Sequence, residues 1–325
     1  MIRYIIRRLF LLIPILIGTV VIVFTINFFS DISPARLVLG PTATEEQVEA
    51  KEDEWGLNDP YLVQLGRYFW RIVSQGSLGT SYIYNQPVLK MIMDRLPNTL
   101  IIGLLAATLS VMIGIPLGIL AAIKQNTALD YIATFLAILC GAIPPFVLCI
   151  LMQLVLAVRL HWLPVSGIRS WLGYIMPIIA CGVMPVAMTC RMTRSSMLET
   201  IRQDYIRTAR AKGLKEGTVI WKHALKNALI PIITVVGMTY AMSLCGSIIS
   251  EAIFNIPGLG NLMNSSISQK DYITNLGCVL VAAFIMSFVT LITDLIYAAV
   301  DPRIKAQYAA TGKRARTYKR KEAAV

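Results

Sequence analysis

Six stretches of about twenty or more mostly apolar residues run through this chain of 325 residues: about Leu9 to Phe29, Thr99 to Ile123, Tyr131 to Val158, Leu172 to Cys190, Ala228 to Ile253 and Leu276 to Val300. A helix of roughly 20 such residues crosses the roughly 30 Å of a bilayer's hydrocarbon. Only helices and closed barrels satisfy every backbone group in lipid. These stretches are far longer than barrel strands and do not alternate polar with apolar residues, so they read as helices. Charge agrees: 15% of the residues are charged, against roughly 25% in a soluble domain. The expected fold is therefore an all-α polytopic membrane protein with about six transmembrane helices.

Arg3, Arg7 and Arg8 precede the first stretch, as in a secretory leader. Its apolar run exceeds a leader's core and no small-x-small site follows, so it reads as an uncleaved anchor. With the N-terminus placed in the cytoplasm, the inside segments 1–8, 124–130, 191–227 and 301–325 hold 21 of the 30 Lys and Arg. The outside segment 30–98 holds 9 of the 18 acids. Basic loops stay inside, so both termini are expected in the cytoplasm. The formal net charge of +12 follows from this topology and implies anionic lipid rather than nucleic acid. The run from Lys313 to Lys321 reads as a solvated tail beside such lipid.

Four units follow: an anchor, 1–30; an extracytoplasmic segment, 31–98; a core of five spans, 99–300, with an inside loop at 191–227; and a basic tail, 301–325. In the outside segment, Glu45 to Glu54 reads as a short acidic helix. Tyr61 to Val73 reads as an amphipathic one whose aromatics suit the headgroup zone. Gly76 to Ser81 is a turn cluster.

The inside loop contains structure of its own. Asp204 is an N-cap candidate. YIRTARAK is helix-compatible, with Arg210 and Lys212 in a last turn that favours cations, and Gly213 supplies the C′ residue. A second helix is expected from Thr218 into the fifth span. A rod of about eight residues is marginal alone. It either protrudes into a partner's groove or packs beneath the bundle, and its residues alone leave both readings open.

Within the spans, Asp294 is the clear mid-span acid, costly unless paired or wet. It is a candidate pathway contact or the partner of a polar neighbour; Asn27, Gln153 and Glu251 are weaker cases. Pro144 and Pro145, preceded by Gly141, are the strongest candidates for a broken helix lining a pathway. His161 and His223 are too few for a metal site, and none of the six cysteines forms a CxxC pair.

DYIRTARAKGL followed by WKHALKNALIP resembles the coupling loop of binding-protein-dependent ABC importer permeases, in the branch that handles dipeptides, oligopeptides and nickel. Arg207, Thr208 and Ala209 stand where the wider family has Glu-Ala-Ala, with Gly213 as its glycine. RLPNTL (Arg95 to Leu100), LPVSG (Leu163 to Gly167), EAIFNIPGLGNL (Glu251 to Leu262), KDY (Lys270 to Tyr272) and DPRI (Asp301 to Ile304) follow the same branch in order.

The resemblance implies a type I ABC importer transmembrane fold and a homologous second permease as heterodimer partner. It further implies two cytosolic ATPases and an extracytoplasmic substrate-binding protein. Contact with the ATPase would then fall to Asp204, Tyr205, Arg207, Thr208, Ala209, Arg210, Lys212, Gly213 and Leu214. The chain has no GxxxxGK[ST] loop, because Gly312-Lys313 is followed by Arg. ATP and its Mg²⁺ would therefore sit on the partner subunits. Nickel import is the alternative cargo. A stand-alone secondary transporter, an intramembrane enzyme and a scaffold are the rival classes.

Overall fold

The computed structural model describes residues 2–30 and 33–300, so the basic tail and the DPRI stretch lie outside the described residues. Among the described residues fifteen α-helices succeed one another: α1 (Ile2–Phe28), α2 (Pro34–Leu39), α3 (Glu45–Trp55), α4 (Tyr61–Gln75), α5 (Val88–Leu109), α6 (Ile115–Ile123), α7 (Ala128–Ala142), α8 (Pro145–Met152), α9 (Leu172–Ile201), α10 (Asp204–Ala211), α11 (Glu216–Thr218), α12 (Leu225–Leu244), α13 (Ile248–Ile253), α14 (Leu259–Ser268) and α15 (Tyr272–Val300). Wider π turns, Ser110–Gly114 and Val219–Ala224, join α5 to α6 and α11 to α12, and a third, Gln153–Arg159, extends α8.

Among the described residues five helical stretches are long and apolar enough to span a membrane, and six if the bent pair α7 and α8 counts as one span. The third expected span, Tyr131 to Val158, is this bent pair: it turns by 95° between Ala142 and Pro145, at the break expected from Pro144 and Pro145. α5 and α9 overrun their expected ends, whereas α12 stops at Leu244, short of the expected Ile253. α5 starts at Val88 rather than Thr99, and α9 continues past Cys190 to Ile201. Hydropathy marks where lipid ends, whereas a helix continues wherever its residues tolerate it.

α1 and α15 lie side by side, joined at one end by the Arg8–Asp294 ion pair (2.9 Å) and at the other by a Ser30–Tyr272 hydroxyl contact (2.6 Å). The α5–α6 rod meets α9 through Gly114 and Gly118. A Cβ on Gly118 would stand 2.6 Å from the carbonyl of Cys190. In lipid such small residues permit the close approach that packing requires.

The stretch 31–98 is tied to the spans. α3 opens on a reciprocal Thr44–Gln47 capping box and closes on Gly56 at φ +66. Tyr68 of α4 packs in a buried cluster with Val20, Phe24 and Leu276. Beyond it, Asp271 takes the hydroxyl of Ser81 (2.5 Å) and the backbone N–H of Tyr82 (3.2 Å). We call the end that carries α3 the acidic end and the end that carries α10 the basic end.

Candidate coupling surface and broken helix

The stretch 191–227 is mostly helix. α9 continues through its first third, α10 fills its middle, and 216–224 is a helical lead into α12. Asp204 is the first residue of α10 rather than its cap: Gln203 holds the cap position with extended backbone and makes no side-chain cap bond. Ile206 and Ala209, one turn apart, are buried among Met197 of α9, Ile119 and Ala122 of α6, Val219, Ile220 and Ala224 of the π turn, and Ala228 and Ile232 of α12. Of the two placements its residues left open, the rod packs beneath the bundle. One face seats against the bundle and the other stays open.

The open face carries Asp204, Tyr205, Arg207, Thr208 and Arg210, followed by Lys212, Gly213 and Leu214. Of the nominated residues Ala209 alone faces inward. Arg210 forms a two-point bond with Glu216, Nη2 to Oε1 at 2.6 Å and Nε to Oε2 at 3.1 Å. That bond holds the guanidinium above its usual range and closes the turn between α10 and α11. Gly213 adopts φ +75 there, and its N–H donates to the Arg210 carbonyl at 2.9 Å. Among the described residues, its chain neighbours aside, nothing lies within 4 Å of a Cβ built on it. Tyr205 accepts from the Asn227 amide at 2.9 Å. The result is a short rigid rod, half seated and half presented.

The 95° elbow follows from its prolines. Pro144 drives Ile143 out of the helical region (ψ 120). Pro145 then opens α8 at the position where a missing N–H costs nothing. Gln153, next along, donates to the Val165 carbonyl at 2.8 Å and ties the broken arm to the LPVSG loop.

Asp294 lies against Arg8 across the α1–α15 seam. Two polar centres went unread or underweighted in the sequence. Asp130, at the first turn of α7, is held bidentately by Arg194 of α9 at 2.6 and 2.8 Å, with the Asn126 N–H at 3.1 Å. Glu251 is fully buried. It accepts from the Thr99 hydroxyl (2.8 Å) and the Asn261 N–H (2.9 Å), while Thr99 accepts from the Leu259 N–H (2.7 Å). These bonds fold EAIFNIPGLGNL, as α13 and α14, onto the start of the second span.

Known proteins match this arrangement along nearly all of the chain. Residues 114–306 match the model of the binding-protein-dependent transport system inner membrane component, and residues 1–103 match its N-terminal companion. The dipeptide transport system permease protein DppB of Alkalihalophilus pseudofirmus is 39% identical over 333 residues, covering 94% of this chain and 100% of the relative. The oligopeptide transport system permease protein AppB of Bacillus subtilis is 39% identical over 316 residues with the same coverage. The glutathione transport system permease protein GsiC of Salmonella typhimurium is 36% identical over 305 residues, with 94% and 99% covered. A solved structure of the MetNI methionine ABC transporter in an inward-facing conformation shares the fold, with a TM-score of 0.55 at 18% identity over 66% of this chain and 97% of that one. The chain is a multi-pass protein of the prokaryotic plasma membrane and belongs to the family of binding-protein-dependent transport system inner membrane components.

Proposed function

We propose that this chain is one permease subunit of an ATP-driven importer of dipeptides and oligopeptides. It lines half of the pathway beside a homologous second permease. An extracytoplasmic binding protein delivers cargo, and two ATPases supply the energy and carry ATP and Mg²⁺. The basic end lies in the cytoplasm, as the excess of Lys and Arg there favours.

The observation that carries the mechanism is α10, seated by Ile206 and Ala209 and open along Asp204, Arg207, Arg210 and Gly213. An effector biases two states only through contacts that differ between them. A rod docked on α6, α9 and α12 at once passes displacement of its open face into three spans. The elbow at Pro144 and Pro145 supplies a break in the arm that follows α6.

Peptide cargo is supported by the dipeptide and oligopeptide relatives at 39% identity. Glutathione, itself a small peptide, is the second reading, because the 36% relatives are glutathione permeases. The test is uptake into proteoliposomes holding the whole complex and its binding protein, with labelled dipeptides, longer peptides, glutathione and nickel. Uptake of peptide that requires ATP is expected. Purification without ATPases, or uptake of nickel alone, would overturn the reading.

A further inference from the structure

α4 divides its surface three ways. Tyr61 packs edge-on against Phe24 and Phe28 of α1 (5.8 and 5.2 Å between ring centres), and Tyr68 lies 6.4 Å from Phe24. The Tyr61 hydroxyl also contacts that of Thr25 at 2.8 Å. The polar stripe turns toward the acidic cap. Gln64 donates to the carbonyls of Leu57 and Asp59 at 2.6 and 2.8 Å. Arg67 pairs with Asp59 beside Gly56, and Arg71 reaches the Gly79 turn. The remaining sector, about 100° wide at 3.6 residues per turn, carries Leu62, Trp70 and Val73, which are 76%, 69% and 81% exposed.

The depth of this open face identifies what covers it. α4 runs beside α1 where Phe28, Phe24 and Val20 lie, all within the apolar stretch that spans the membrane. Ile22, Ile26 and Phe29 of α1 are likewise exposed along the same stretch of that span. A cation in that position extends its head to water and leaves its stem in the apolar zone. Arg67 does so by reaching back past the start of its own helix. Apolar residues at the sides, polar ones above and arginines drawn upward describe a helix lying in the bilayer boundary.

We infer that α4 is a lipid-embedded anchor: acyl chains of the adjoining leaflet cover Leu62, Trp70 and Val73, and the helix thereby holds acidic α3 at the bilayer surface.

The test uses the purified complex in nanodiscs whose lipids carry bromine near the headgroup end of the acyl chain, at its far end, or nowhere. The readout is the tryptophan emission of wild type minus that of Trp70→Phe. This difference should be lost with bromine near the headgroups, be less affected by bromine at the chain ends, and be unmoved by iodide in the buffer. Moving the reporter with Trp70→Phe plus Val73→Trp should restore the lipid quenching. If brominated lipids leave the difference unchanged, the inference fails: quenching by iodide would place α4 in water, and quenching by neither would place a protein partner over it.

Discussion

Asp130 and Arg194 lie 64 positions apart in sequence and share two hydrogen bonds, with the carboxylate side chain 3% exposed and the guanidinium 29%. The pair fastens the first turn of α7 to the part of α9 that also seats α10 through Met197, one turn further on. It therefore stands between the coupling surface and the arm that breaks at Pro144.

Removing one partner strands a buried charge. Arg194→Ala should cost about 1–3 kcal/mol, because the guanidinium is partly wet and its removal admits water to the carboxylate. Asp130→Ala leaves a cation that solvent can reach and should cost less. The double replacement should be milder than the sum of the single ones. A double-mutant cycle by thermal unfolding of the complex checks this, and additive effects would show that the pair contributes no coupling.

This pair marks the limit of what was legible in the sequence. Apolar stretches display spans because lipid demands some twenty such residues in a row. α3 was legible as an acidic run and α4 because it separates its faces and meets the turn cluster at Gly76, whereas the caps at Thr44 and Gly56 emerge only in the fold. Gly213 was legible as a helix terminator because only glycine adopts φ +75 without cost. Partnerships such as Asp130 with Arg194, or Glu251 with Thr99, join distant segments and have no local signature. The adjacent prolines announced a break, but its 95° angle depends on what α8 packs against. The extension of α9 past Cys190 was hidden because polar residues such as Arg194, Ser196 and Glu199 look like loop and are nonetheless good enough helix formers.

Arg8 and Asp294 make a second prediction. Both residues lie within the membrane-spanning stretches and the Asp294 oxygen that meets Arg8 is buried, so losing one partner should cost about 1–3 kcal/mol. If its role is to hold α1 against α15, then Arg8→Ala and Asp294→Asn should lower the melting temperature alike, by a few degrees, and leave the peptide concentration for half-maximal uptake unchanged. Exchanging the two residues should recover the loss. A pathway role for Asp294 would appear instead as a shift in that concentration with Asp294→Asn alone.

Glu251 sits in a cradle floored by glycine. A Cβ on Gly258 would lie 2.3 Å from its Oε2 and 2.7 Å from the Thr99 hydroxyl. The Gly258 backbone, at φ −118, suits any residue, so only this contact opposes substitution. Gly258→Ala should therefore destabilise by about 1–3 kcal/mol, as overpacking does. Shortening the acid with Glu251→Asp withdraws the carboxylate, and the two changes together should cost less than their sum in a thermal-unfolding cycle.

Gly213 separates folding from coupling. At φ +75 any Cβ meets its own backbone, a strain of about 1–2 kcal/mol. Among the described residues, however, a Cβ there touches nothing beyond its chain neighbours, and the Arg210–Glu216 bond and the Ile206 contacts remain to hold the rod in place. Gly213→Val should accordingly insert, assemble and melt within a few degrees of wild type. On the open face the added side chain meets whatever docks against α10. If that neighbour is the ATPase, hydrolysis should continue while uptake per ATP falls about tenfold or more. Gly213→Ala, which carries the strain with less bulk, should fall in between. Measuring uptake and hydrolysis together in proteoliposomes distinguishes the cases: equal loss of both would indicate a folding defect, and unchanged uptake by Gly213→Val would show that this face of α10 meets no partner.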